Sequence, residues 1–259
     1  MLNNNFYRTG TFGILISWLL LFNVVSADPI VDSVLAQVYE GYDQKNVCWR
    51  AHANLEGGYC CLQVKRQDRL NTSTEARLYL LLVGQCYDSE GELESAHVNS
   101  GMVGALVLNL SDKVRVLAGN PRIPMGSYGI APEKWSLVKF GANDHWGWIT
   151  ESGYTGYGVT TSWYSILLPH GKEISEITVP FGYDDSGNCD EEDKSCRVTL
   201  IEGTLEIDST KIEETMFPLK VRLEGKKKGK QMPAKTWVFP FDTNSWSYQK
   251  PKGFPDLDG

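Results

Sequence analysis

Six cysteines carry the clearest chemistry in this sequence: Cys48, Cys60, Cys61, Cys86, Cys189 and Cys196. Thiols bridge, bind metal or exchange electrons, and spacing discriminates among these. Structural zinc wants paired Cys-x2-Cys knuckles, and the same spacing depresses the pKa of redox thiols. Neither pattern occurs. An even count behind an export signal reads as disulfides. Adjacent residues of a strand point to opposite faces, so Cys60 and Cys61 are expected not to bond to each other. Each then takes Cys48 or Cys86, in an order that stays open. Cys189 and Cys196 flank a short acidic loop and are expected to close it.

That loop, DDSGNCDEED over 184–193, alternates Asp184, Ser186, Asn188 and Asp190. Hard oxygen ligands at such spacing suit calcium. The glycine that an EF-hand loop needs at its sixth position is missing, and Ser195 would stand at the twelfth. Calcium is therefore the one cofactor expectation, weighed against a solvated acidic loop.

Catalytic sets are hard to assemble. Ser127 follows Gly126 in MGSYG, which is not a Gly-x-Ser-x-Gly elbow. Asp144 and His145 are adjacent, and neighbours in sequence seldom orient each other as a triad requires. His52, His97 and His170 fall in unrelated segments. The expectation is a protein that is not an enzyme, with a dispersed site on a β scaffold as the alternative.

The densest aromatic stretch is HWGWITESGYTGYG, 145–158. As a strand, HWGWIT turns Trp146, Trp148 and Thr150 to one face and His145, Gly147 and Ile149 to the other. The two tryptophans are expected in the core, where large aromatics contribute most. ESGYTGYG reads as a glycine–tyrosine loop. Its Tyr154 and Tyr157 are expected to be exposed, rigid, amphipathic contacts for a partner.

These groups need a scaffold. DPIVDSVLAQVYEGY (28–42) reads as a short helix: Asp28 caps, Pro29 suits the first turn, and Ile30, Val34, Leu35 and Val38 form an apolar stripe. Period-two, β-rich runs then follow, from YCCLQVK (59–65) to KTWVFPF (235–241), separated by turn residues. Eleven such strands predict an all-β fold, a sandwich or barrel-like set of antiparallel sheets with one short N-terminal helix. Hairpins are placed at Ser111-Asp112, at Pro169 to Gly171, and at the lysine cluster GKKKGK (225–230). The stretch 119–134 reads as a long loop within one domain, or as a boundary between sub-lobes.

Residues 1–27 read as a signal peptide: Arg8, an apolar run too short for a membrane span, then Val25 and Ala27 before the cut. The remaining 28–259 is expected to form a single β-rich domain. The formal net charge of −7 disfavours nucleic acid as a partner. The leading expectation is an exported, disulfide-stapled, non-catalytic protein of the periplasm or extracellular space, not membrane-spanning after processing. Its partner would be another protein, as for an inhibitor or immunity-type protein that blocks an envelope-acting toxin or hydrolase. The alternative is a glycan-binding module built on the Trp/Tyr cluster.

Overall fold

The computed structural model describes residues 28–52, 57–72, 75–111, 113–190 and 195–257. The signal-peptide reading of 1–27 lies outside these residues, as do Asp112 and positions 191–194 of the acidic loop. The chain is mostly strand and forms two large antiparallel sheets.

The first sheet is a six-stranded meander: β1 (Gly41–Asp43), β2 (Cys48–His52), β3 (Tyr59–Asn71), β4 (Ala76–Tyr87), β5 (Gly101–Asn109) and β6 (Arg115–Met125). The second holds seven strands in chain order: β7 (Ser136–Gly141), β8 (His145–Gly156), β9 (Val159–His170), β10 (Glu173–Asp184), β11 (Leu200–Ile207), β12 (Leu219–Lys227) and β13 (Lys230–Phe239). A small ribbon, β14 (Phe241–Asp242) with β15 (Ser247–Tyr248), follows β13.

Three apolar layers explain the sequence pattern. Helix α1 (Pro29–Val38) covers the outer face of the first sheet, against Leu78, Leu80, Leu82, Leu106 and Leu108. The other face of that sheet, with Tyr79, Leu81, Val103 and Val107, packs on Trp148, Leu167 and Ile174 of the second. β4 and β5 are therefore covered on both sides, which is why LYLLLV and GALVL are continuous apolar runs rather than alternating ones. The third layer lies within the second sheet. β10 and β11 pair only at Tyr183–Ile201 and Asp184–Leu200. From this corner β11–β13 turn back, and Ile201, Leu219, Val221 and Phe239 meet Phe140, Ile166 and Val179. Pro180 sits at the β10 bulge beside the corner, where a missing N–H interrupts no regular ladder.

Three disulfides form, Cys48–Cys61, Cys60–Cys86 and Cys189–Cys196. Cys60 lies directly opposite Cys86 across β3 and β4. Cys61 faces the other way and reaches back to β2. The alternation argument thus holds, and the register fixes the order that the sequence left open.

Four expectations are corrected. The buried stripe of α1 is Val31, Val34 and Leu35, whereas Ile30 is exposed; the i, i+3, i+4 set runs one residue later than expected. β6 continues to Met125, so the loop expected over 119–134 shrinks. Its Pro121 and Pro124 are tolerated because β6 is an edge strand. The β9–β10 turn falls at Gly171–Lys172, with Pro169 inside the ladder opposite Ile174. ESGYTGYG is not a loop: β8 runs through Gly156 and only Tyr157–Gly158 turn.

Candidate functional site

The last correction defines the site. β8 and β9 are joined by a two-residue turn in which both residues have positive φ, 50° at Tyr157 and 73° at Gly158. That is a type I′ hairpin, whose twist matches its strands. The pair closing such a turn exchanges both hydrogen bonds, and bonded and non-bonded pairs then alternate. Gly156–Val159, Tyr154–Thr161 and Ser152–Trp163 are thus the bonded pairs, so Thr155, Gly153 and Glu151 aim their N–H and C=O away from β9.

Those outward groups meet no strand. β7 pairs with β8 only from Gly141–His145 to Ser136–Ile149. The chain before β7 makes one further hydrogen bond to β8, from Thr150 Oγ1 to the Lys134 carbonyl at 2.6 Å, and the same hydroxyl lies 3.3 Å from the Glu151 carbonyl. Glu151–Gly156 is left as an open edge among the described residues. Other stretches also lack a partner strand on one side: Gln63–Asn71 of β3, which carries Lys65, Arg66 and Arg69, Glu173–Gly182 of β10, which carries Pro180, and Glu202–Ile207 of β11 beyond the corner. The outermost strands are blunted. β1 has three residues. The prolines of β6 are joined by a contact in which Gly119 N–H donates to the Lys172 carbonyl. Phe217 N–H caps the β7 edge at the Phe140 carbonyl, 2.7 Å away. β13 carries Lys230, Pro233 and Lys235, residues that block edge pairing. The Glu151–Gly156 stretch has neither lysine nor proline.

A groove lies on each face of this edge. One, of about 560 Å³, has Trp163 and Ser165 on its floor, Tyr154 and Tyr128 on its rim, and Glu176 on its wall. The other, of about 600 Å³, is bounded by Pro132, Lys134, Ile149 and Tyr164. Glu151 and Pro132 border both. The floor of the first is held rigid: Trp163 Nε1 donates to Ser165 Oγ, which donates to Ser152 Oγ, each at 3.1 Å. Tyr154 packs on His97 (ring centroids 4.6 Å apart), which in turn packs on Tyr128 (4.9 Å). In the second groove, burial pushes the Tyr164 phenol above its ordinary pKa, and the charge of Glu151 adds to the effect.

The sequence-derived residues divide around this site. Tyr154 is exposed on the groove rim, and Tyr157 is fully exposed at the hairpin tip. Both are where an aromatic contact needs to be, although Tyr154 projects from a strand instead of a loop. Trp148 is fully buried on Tyr79, 5.6 Å between ring centroids, whereas Trp146 is half-buried and lines a different cavity. The acidic loop adjoins the tip, since a Cβ on Gly158 would run into Asn188. Asp184 Oδ1 accepts from Ser186 N–H, and Asp185 Oδ1 accepts from Thr199 N–H, which shapes the loop around the short helical turn Ser186–Asn188. Asp190 follows the Cys189–Cys196 bridge. Among the described residues no three His, Cys, Asp or Glu side chains gather as a metal site. Ser127 lies in a tight turn with Ile130, and the side chain of Asp144 pairs with Lys139 rather than with His145.

Sequence reasoning missed the open edge, Glu151, Tyr128, Trp163 and His97. The signal for the edge was present: a Tyr-Gly pair between two β-rich runs sets a hairpin register, and the register determines which amides point outward.

Fold and site together define a disulfide-bonded, two-sheet β protein in which the Glu151–Gly156 edge of β8 is open among the described residues. No known protein-family model, curated protein or solved structure matches the chain.

Proposed function

We propose that this is an exported, non-catalytic protein that holds an extended segment of another protein as an added strand along Glu151–Gly156. The observation carrying this reading is the open edge with a groove on either face. In strand addition the backbone bonds supply affinity, and pockets for alternate side chains supply specificity. The outward amides of Glu151, Gly153 and Thr155 provide the first, and the two grooves provide the second. Tyr154 and Tyr157 flank the added strand as rigid anchors, and the acidic loop favours a basic segment. A scaffold stapled by disulfides suits recognition in the periplasm or outside the cell, and the partner is of the kind an inhibitor or immunity-type protein blocks, a toxin or hydrolase of the envelope.

Thr155→Pro tests this. The Thr155 N–H points away from β9, so proline removes an edge donor while leaving the β8–β9 ladder bonds in place. Peptides selected from a displayed random library on the wild-type protein should fail to bind the variant while its melting temperature is kept. Equal binding to both proteins refutes strand addition. The aromatic floor and rim of the first groove, Trp163, Tyr128 and Tyr154, favour a glycan as the second reading. A glycan array on the same two proteins separates them, because sugar stacking on Trp163 is indifferent to the Thr155 amide.

A further inference from the structure

β8 is antiparallel to both of its neighbours. A further antiparallel strand, bonded to the outward groups of Glu151, Gly153 and Thr155, sets one residue directly opposite each of them. Residues opposite one another carry their side chains on the same face. That face is fixed by the pairs with β9: Glu151 with Tyr164, Gly153 with Ser162, and Thr155 with Thr160. The hydroxyls of Thr155 and Thr160 are bonded to each other at 2.9 Å. Glu151, Tyr164 and Ile149 all border the second groove, so these side chains of the added strand enter that groove.

The charged residues bordering this groove are Glu133, Lys134 and Glu151. Glu133 pairs with Lys65 at 3.4 Å. Lys134 belongs to the chain before β7 and sits beside Thr150, on the side of Glu151 away from Gly153. Glu151 is exposed and has no ion-pair partner among the described residues. Gly153 has no side chain, so a side chain opposite it crosses β8 unobstructed on this face. Beyond it stands Tyr164, held by packing on Phe181 with ring centroids 4.3 Å apart. Burial raises the Tyr164 pKa, and the charge of Glu151 adds to the rise, so the carboxylate and the phenol lie close enough to interact.

Resting on the strand-addition reading, we propose that the added strand carries a basic residue opposite Gly153, and that Glu151 selects it. Diagonal neighbours on one face of an antiparallel pair lie about 7–8 Å apart, within reach of long side chains. The stem of the basic residue covers Gly153, where no side chain competes for the space. Its head meets the Glu151 carboxylate and the ring of Tyr164, a carboxylate and a π face that both favour a cation. Arginine is preferred to lysine, because its planar guanidinium pairs with a carboxylate and stacks on a ring. The formal net charge of −7 acts in the same direction at longer range.

The probes are short peptides selected from a displayed random library on the intact, oxidised chain. Binders that are lost on Thr155→Pro should share one position occupied by arginine or lysine. In one such peptide the arginine is replaced by citrulline, which keeps the shape and removes the charge. Calorimetry should show wild type binding the citrulline form about fivefold more weakly, the upper end for a cross-strand charge pair. Glu151→Gln should bind the two forms alike, and selection on Glu151→Lys should place an acidic residue at that position. Glu202→Gln removes the same charge from β11 and should keep the fivefold ratio, which separates Glu151 from the acidity of the whole chain. Variants are compared at wild-type melting temperature, and if one Glu151 variant melts early the other decides. Binders that need the Thr155 amide but share no basic position overturn this proposal and leave strand addition standing. So does a ratio that Glu151→Gln does not change. No binders at all, or binders indifferent to Thr155→Pro, overturn strand addition and this proposal with it.

Discussion

Trp148 and Tyr157 occupy the same hairpin and represent its two extremes, one with no exposed surface and the other fully exposed. Trp148→Ala should destabilise the protein by about 3–5 kcal/mol, the usual range for deleting a buried large aromatic. Tyr157→Ala should leave the melting temperature nearly unchanged and weaken the partner. Denaturant titration of the two variants side by side checks both statements. His145 gives a pH signature. Its folded-state pKa lies below the ordinary 6.5, so the unfolded chain binds the proton more readily. Its contribution is full above about pH 6.5 and is lost as the pH falls toward the lowered value. His145→Gln should flatten that part of the stability curve between pH 7 and pH 5, as read by thermal melts. The residue types were legible in the sequence, since Trp148 and Tyr157 behave as alternation and the flanking glycines suggest. The neighbours that make Tyr154 part of a site, His97 and Tyr128, come from distant segments and leave no local signal.

Among the elements, the strands were the most legible. All eleven runs picked out by β-rich, period-two pattern are strands, because each buries at least one face. The two-stranded additions β1 and β2 escaped notice: each is five residues or fewer, too short for a period to register. ESGYTGYG is strand where its glycines predict a loop, because glycine within a strand weakens the pairing without ending it. Gly153 lies inside the ladder, where the edge strand keeps its extended pairing with Ser162, and the turn is confined to Tyr157–Gly158. The Cys189–Cys196 bridge closes a loop with a sequence separation of 7. Replacing both cysteines with serine should cost about 2–3 kcal/mol in the chain-entropy model, measurable by urea denaturation. The variant should also loosen the acidic loop beside the hairpin tip, so binding to a basic peptide should fall more steeply with added salt in the wild type than in the variant.

For the molecule as a whole, both sheets are meanders in which every strand neighbours the next in sequence. Their outermost strands are blunted by short length, prolines, lysines or crossing backbone, and among the described stretches without a partner strand Glu151–Gly156 is one that has a groove on each face. Composition and cysteine count made the class of fold legible. Of the open edge only half was legible: the Tyr-Gly turn sets which amides point outward, but where β7 stops pairing with β8 is a matter of three-dimensional register. Amide hydrogen exchange along β8 therefore tests the central claim most directly. In the free protein the N–H groups of Ser152, Tyr154 and Gly156 should be protected by β9, while those of Glu151, Gly153 and Thr155 should exchange freely. Adding a peptide selected on the wild-type protein should protect Glu151, Gly153 and Thr155 as well. If those three amides are already protected in the free chain, or stay unprotected when the peptide is bound, strand addition at this edge is wrong.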